Sequence, residues 1–224
     1  DALGGSSPLD LAGGLIPMQN WYAPSLSAKN EAGLADWPVG EVVTLLQTGV
    51  APRASVLGPM AEVVLHSTQY MSPQDQKAMV QYLKSLPPVK GRNPEIPHQA
   101  DTTTQKQLDG QYTSPGAWLY AAHCVTCHRA DGKGVPRIFP ALAGNSAVFA
   151  NNPQSVIQVT LEGGRMPENS VDKLTFTMPA FRHLGDQDIA DLVNYIRTSW
   201  TNQAPTVQAA DVAHIRQFVA NKSP

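Results

Sequence analysis

Apolar residues fall in short bursts at helical spacing, separated by stretches rich in Gly and Pro. Residues 40–49 (GEVVTLLQTG) read as a short helix ended by Gly49, and residues 60–70 (MAEVVLHSTQY) as another that follows Gly58-Pro59. Ser72 is placed to cap a helix opened by Pro73, with Met79, Tyr82, Leu83 and Leu86 as its apolar stripe and Pro87-Pro88 as its stop. Ser114-Pro115 opens a further helix, GAWLYAAHC, and residues 153–162 form one ended by Gly163-Gly164. Residues 186–198 are amphipathic, with Ile189, Leu192, Val193 and Ile196 on one side. A last helix over roughly 208–219 places Val212, Ile215 and Phe218 at helical spacing. Residues 1–38, anchored by Trp21, Tyr22 and Trp37, read as mostly loop, as do residues 129–152 and the run up to Leu184. No alternating strand pattern persists, so the expected class is all-α with long loops.

The two halves repeat each other. VVTLLQTG at 42–49 matches VIQVTLEG at 156–163, offset by 114, and residues 75–83 match 188–196, offset by 113. LAGG at 11–14 matches LAGN at 142–145, offset by 131. Between the halves, residues 89–111 hold prolines, a Thr triplet and scattered charges without periodicity, the character of a linker. The expected organisation is therefore 1–88, a linker over 89–111, and 112–224.

Composition narrows the function classes. Of 224 residues, 42% are hydrophobic and only 15% charged, so the chain can fill a core and is no disordered polyelectrolyte. The net charge is −2 and neither half is basic, which leaves nothing to recruit nucleic acid through bulk charge. The uncharged runs at 11–28 and 138–161 are broken by Pro, Gly, Asn and Gln and do not read as membrane spans. No basic segment precedes an apolar one at Asp1, so no signal peptide is read there.

The two cysteines lie in one pentapeptide, Cys124-Val-Thr-Cys127-His128, the CxxCH signature of c-type haem attachment. Cysteines three apart at a helix end share a face and can reach the two haem vinyl groups, and the next residue projects an imidazole at the iron. A thioredoxin-like pair would need a βαβ context, and a zinc site would need ligands less crowded along the chain than His123, Cys124, Cys127 and His128. For the sixth iron position Met178, in FTMPAF, lies fifty residues on, with Pro179 stiffening its loop and Phe176 and Phe181 available as shields. Met166 is its rival, and His183 would be an alternative that lowers the potential. His123 is expected to point away from the haem face. His66, His98 and His214 have no motif around them. Pro140, twelve residues after His128, offers a backbone carbonyl to the proximal imidazole. Arg137, Arg165 and Arg182 are candidates for pairing with haem propionates.

With these residues in place, 116–200 resembles a class I cytochrome c: CxxCH, a proline twelve residues on and a methionine before a helix fall in that family's order. Gly116 and Tyr120 match its first helix, and Leu192 and Tyr195 match the last helix that crosses it. The resemblance is closer to the third haem domain of the tri-haem cytochrome subunits of membrane-bound alcohol, gluconate, sorbitol and aldehyde dehydrogenases, in GAWLYAAHCVTCHRADGKG, FPALAGN, TMPAF and DIADLVNYIRTSW. Residues 1–88 resemble part of the second haem domain, in LAGG, NWYAPSL and GPMAEVV, but its CxxCH is missing. The resemblance makes Met60 the orphan ligand of a haem attached upstream, and the chain a piece of a longer subunit; the alternative is a natural mono-haem protein with a degenerate first domain. It implies one covalent haem c on Cys124 and Cys127, axial ligands His128 and Met178, and periplasmic electron transfer on the outer face of a bacterial inner membrane. Electrons would come from a dehydrogenase catalytic subunit and leave to quinone or another redox protein. Peripheral membrane association through the complex is open to such a subunit. The alternatives are a stand-alone haem enzyme, of peroxidase or sulfur-compound dehydrogenase type with a displaceable Met ligand, and a docking role for a first half that has lost its haem.

Overall fold

The computed structural model describes residues 11–28, 31–87, 100–171 and 176–222. The linker region at 89–99, with His98, lies outside them. The chain is helix-rich, as its class predicts. What the pattern does not give is three two-stranded antiparallel pairs, too short to show alternation.

The first pair is β1 (Gly14–Ile16) with β2 (Trp21–Ala23). Helix α1 (Val39–Thr48) follows and ends at Gly49, whose left-handed conformation lets its N–H reach the Leu45 carbonyl at 2.9 Å. After β3 (Val50–Ala51) and β4 (Ala54–Ser55), the expected helix at 60–70 is split. Helix α2 (Pro59–His66) stops at Ser67, and Thr68–Tyr70 tightens into a 3₁₀ turn. There Thr68 is buried, its hydroxyl donating to the Leu46 carbonyl of α1. Helix α3 (Pro73–Ser85) starts where Ser72 predicts, the Ser72 Oγ accepting from the Asp75 N–H at 3.1 Å. Its inner stripe differs from the expected one. Val80 and Gln76 are buried, whereas Tyr82 is 64% exposed. Gln76 takes a core position because its amide donates to the Thr68 carbonyl at 2.8 Å.

Within the segment read as linker, α4 (Thr103–Leu108) is a short helix packed on the second half. Its buried Gln107 donates to the Tyr195 hydroxyl at 2.7 Å and to the Ala117 carbonyl at 3.2 Å. Helices α5 (Pro115–His123) and α6 (Val125–His128) carry the CxxCH. The loop read over 129–152 contains a single-turn helix, α7 (Ser146–Phe149), capped by the Asn145 side chain. Helix α8 (Gln154–Glu162) is followed by β5 (Gly164–Arg165), β6 (Thr177–Met178), α9 (Asp186–Thr198) and α10 (Ala209–Lys222).

The core of the second half rests on the crossing of α5 and α9. A Cβ on Gly116 would lie 2.2 Å from the Asp191 carbonyl oxygen and 2.7 Å from the Tyr195 Cβ, so only glycine permits this approach. Tyr120, Tyr195 and Trp200 then cluster with centroids 5.4–6.4 Å apart, Trp200 edge-on to both tyrosines and the tyrosines tilted by 46° to each other. Arg197 is fully buried and its guanidinium donates to the carbonyls of Val148, Ala150 and Pro205, tying α9 to α7 and to the run before α10. Burial lowers its pKa to about 10, so it stays charged at neutral pH.

The two halves touch. Tyr22 N–H donates to Ser155 Oγ at 3.0 Å, and that hydroxyl lies 3.1 Å from the Tyr22 carbonyl. Asn169 donates to the Thr48 carbonyl at 3.1 Å, and Gln69 to the Glu168 carbonyl at 3.0 Å. Among the described residues no helix is long and apolar enough to cross a membrane.

Candidate haem site

Helix α5 ends at Cys124 and the single turn α6 completes the motif, so Cys124, Cys127 and His128 face one cavity. Both thiols are free. Burial, and then the neighbouring Cys127, push the Cys124 thiol up to about 12, so it is neutral in the folded chain. His128 is 8% exposed, and its Nδ1 lies 2.9 Å from the Pro140 carbonyl oxygen. That oxygen can only accept, so Nδ1 carries the proton and Nε2 keeps a lone pair for a metal. Burial holds the His128 pKa below its ordinary 6.5, and the Pro140 hydrogen bond opposes this in part.

The Pro140 carbonyl reaches His128 because the loop doubles back at Gly134. Gly134 has φ of +61°, and a Cβ there would sit 2.2 Å from the Phe139 oxygen and 2.6 Å from the Pro140 oxygen. The Gly134 N–H donates to the His128 carbonyl and the Val135 N–H to the Phe139 carbonyl, both at 3.0 Å. The aromatic cluster pins the start of the same loop. Tyr120 Oη donates to the Arg129 carbonyl at 2.7 Å and Trp200 Nε1 to the Ala130 carbonyl at 2.9 Å. Asn202 holds the next stretch, donating to the Leu142 carbonyl and accepting from the Gly144 N–H. Tyr120, Trp200 and Asn202 therefore support the site from behind.

The opposite wall is the β5–β6 ribbon. Met178 pairs across it with Gly164, and the Phe181 N–H donates to the Thr160 carbonyl at 3.0 Å, so the methionine loop is fastened on both sides. Met178, Phe176, Phe181 and Pro179 all line the cavity with His128 and the two cysteines. Met166, the residue just after β5, lines it too. His183 is exposed and does not line the cavity, its ring lying beside Phe181 at 6.1 Å between centroids. His123 departs from expectation. Though exposed, it lines the cavity, its ring 5.6 Å from that of Phe181. Arg165 lies at the cavity and pairs with Glu168, whereas Arg137 and Arg182 are not lining residues. Met60 sits on the first turn of α2, 36% exposed; its neighbours Gly58 and Ala61 line the cavity and it does not.

The donor set fits a c-type haem: two free thiols, an imidazole of fixed tautomer and a thioether, around an apolar space. His66 and His214 are exposed and take no part in it.

Comparison with known proteins agrees with this geometry. The cytochrome c family model matches residues 113–200. The chain is 42% identical over 218 residues to the cytochrome c subunit of a quinone alcohol dehydrogenase from Gluconacetobacter polyoxogenes, covering 96% of this chain and 46% of that protein. It is 35% identical over 210 residues to the cytochrome c subunit of gluconate 2-dehydrogenase from Pantoea cypripedii, covering 92% of this chain and 47% of that protein. Cytochrome c-552 of Thermus thermophilus is 36% identical over 90 residues, 38% of this chain and 67% of that protein. The chain thus spans somewhat under half the length of the dehydrogenase subunits it matches. Motif, fold and relatives together imply covalently bound haem c, and the chain belongs to the cytochrome c family.

Proposed function

We propose that the chain transfers single electrons through a haem c held by thioether bonds to Cys124 and Cys127, with His128 and Met178 as axial ligands. The observation that carries this reading is the convergence of both thiols, the Pro140-oriented imidazole and the Met178 thioether on one apolar cavity. When bound, haem supplies a one-electron iron couple. The protein fixes the imidazole by the Pro140 carbonyl, keeps a soft thioether on the facing ribbon and excludes water with the buried Phe181. A filled sixth position suits electron transfer, because the iron then has no open site for a substrate.

The chain acts as part of a cytochrome subunit, taking electrons from a dehydrogenase catalytic partner and passing them to quinone or another acceptor. The support is the printed identity of the relatives, cytochrome c subunits of alcohol and gluconate dehydrogenases, one of them quinone-linked. Thioether attachment of haem takes place outside the cytoplasm, which supports a periplasmic location; docking on a membrane-bound dehydrogenase is what would hold the chain at the outer face of the inner membrane. Residues 1–88 and 112–224 are two cytochrome-like units, and Met60 is the ligand of a haem attached upstream in a longer subunit. Mixing the haem-loaded protein with a reduced dehydrogenase catalytic subunit, and following haem reduction by stopped-flow absorbance, tests the reading. Reduction that saturates with the partner is expected. A haem that the dehydrogenase leaves oxidised, while dithionite reduces it, would contradict it.

A further inference from the structure

The cavity around His128 is not closed by the second half alone. Trp21, Val56, Leu57 and Gly58 of the first half form part of its wall, facing Cys124 and His128 from another element set. Trp21 is held from three directions. Its strand pairs through Ile16, and its neighbour Tyr22 is bonded through the backbone to the buried Ser155 of α8. The Tyr22 hydroxyl also donates to the buried Glu31 carboxylate at 3.0 Å. On its inner side the indole lies against Gly58. A Cβ there would come within 2.4 Å of Trp21 Cε2, and Gly58 takes φ of +51° and ψ of −128°, a backbone state open in practice to glycine. An aromatic side chain locked in this way, half-buried and bordering a cofactor cavity from the other half of the chain, does more than fill a core.

We propose that the first half is the solvent shield of the second half's haem, and that Trp21 is a positioning residue which sets water access to that haem and so its potential. The inference rests on the haem reading given above. Shielding an iron centre from water disfavours its more highly charged oxidised form and raises the potential; opening the wall lowers it. The same opening speeds the entry of a small anion toward ferric iron.

The test uses the haem-loaded chain, its Trp21→Ala and Trp21→Phe variants, and Leu57→Ser, which puts a hydroxyl into the same wall and keeps Trp21. Midpoint potential is read by spectroelectrochemistry and access by the rate of cyanide binding to the ferric protein. Trp21→Ala and Leu57→Ser are expected to lower the potential and to speed cyanide binding severalfold, with Trp21→Phe close to the parent. Trp118→Ala, exposed on α5 and away from the cavity, changes neither. If Trp21→Ala does not fold, Leu57→Ser still decides. Variants that lose thermal stability but keep the parent potential and cyanide rate would overturn the inference and leave the haem reading intact. A parent chain without a six-coordinate His/Met spectrum would overturn both.

Discussion

At the residue scale, the site depends on an imidazole kept neutral and aimed. The sign of the pH effect follows from His128. Its folded-state pKa is depressed by burial below 6.5, so in acid the unfolded chain binds the proton first. Stability from the neutral imidazole is full above 6.5 and is lost as pH falls from there toward the lowered folded value. In the haem-free chain, stability to chemical denaturant should therefore hold down to pH 6.5 and fall only below it; a stability independent of pH between 7 and 5 would mean that the imidazole is not shielded. Met178→His should keep six-coordination and lower the potential, because nitrogen stabilises ferric iron more than a thioether does. The CxxCH was legible in the sequence because its spacing puts both thiols and the imidazole together; the proline at plus twelve was legible through the family resemblance, since the turn at Gly134 is what brings its carbonyl to His128. The reach of His123 into the cavity was not. It depends on how α5 ends against Phe181, which no local pattern encodes.

At the element scale, helix ends were the readable part. Ser72, Ser114 and Gly49 carry their own chemistry and stand where capping predicts. Short elements were hidden because tertiary partners make them. Helix α4 exists around the Gln107–Tyr195 bond, and the β5–β6 ribbon is two residues long on each side. The inner face of α3 misled for a related reason, since a hydrogen-bonded Gln76 displaces Tyr82 from the core. The α5–α9 crossing gives a direct test. Gly116→Ala should cost about 3 kcal/mol in chemical denaturation, at the upper end of overpacking, because the contact is with backbone that cannot move aside. Arg197→Leu strands three carbonyls and should cost roughly 3 kcal/mol; Arg197→Lys should recover only part, since one ammonium cannot span the same fork.

At the scale of the whole molecule, the sequence repeat is mirrored in the fold. Helix α1 and α8 both end in a glycine of positive φ, Gly49 and Gly163, whose N–H reaches back four residues, and α3 and α9 follow in the same order; only Gly49 is left-handed helical, Gly163 leading straight into β5. The analogy breaks at the methionines, because Met60 starts a helix while Met178 lies in a ribbon. The contacts between halves were invisible in the sequence; Tyr22–Ser155 and Thr48–Asn169 join residues more than a hundred positions apart with no charge or motif to flag them. Ser155→Ala removes one such link and should lower stability by about 1 kcal/mol without changing the haem spectrum.

The most direct measurement is the near-infrared and visible absorption of the haem-loaded chain beside Met178→Leu and Met166→Leu. One haem per chain with two thioether bonds, a ferric sulfur–iron charge-transfer band lost only in Met178→Leu, and no carbon monoxide binding by the reduced parent are the predicted results. A band that survives in Met178→Leu and vanishes in Met166→Leu, or a reduced parent that binds carbon monoxide, would contradict the ligand set and with it the electron-transfer account.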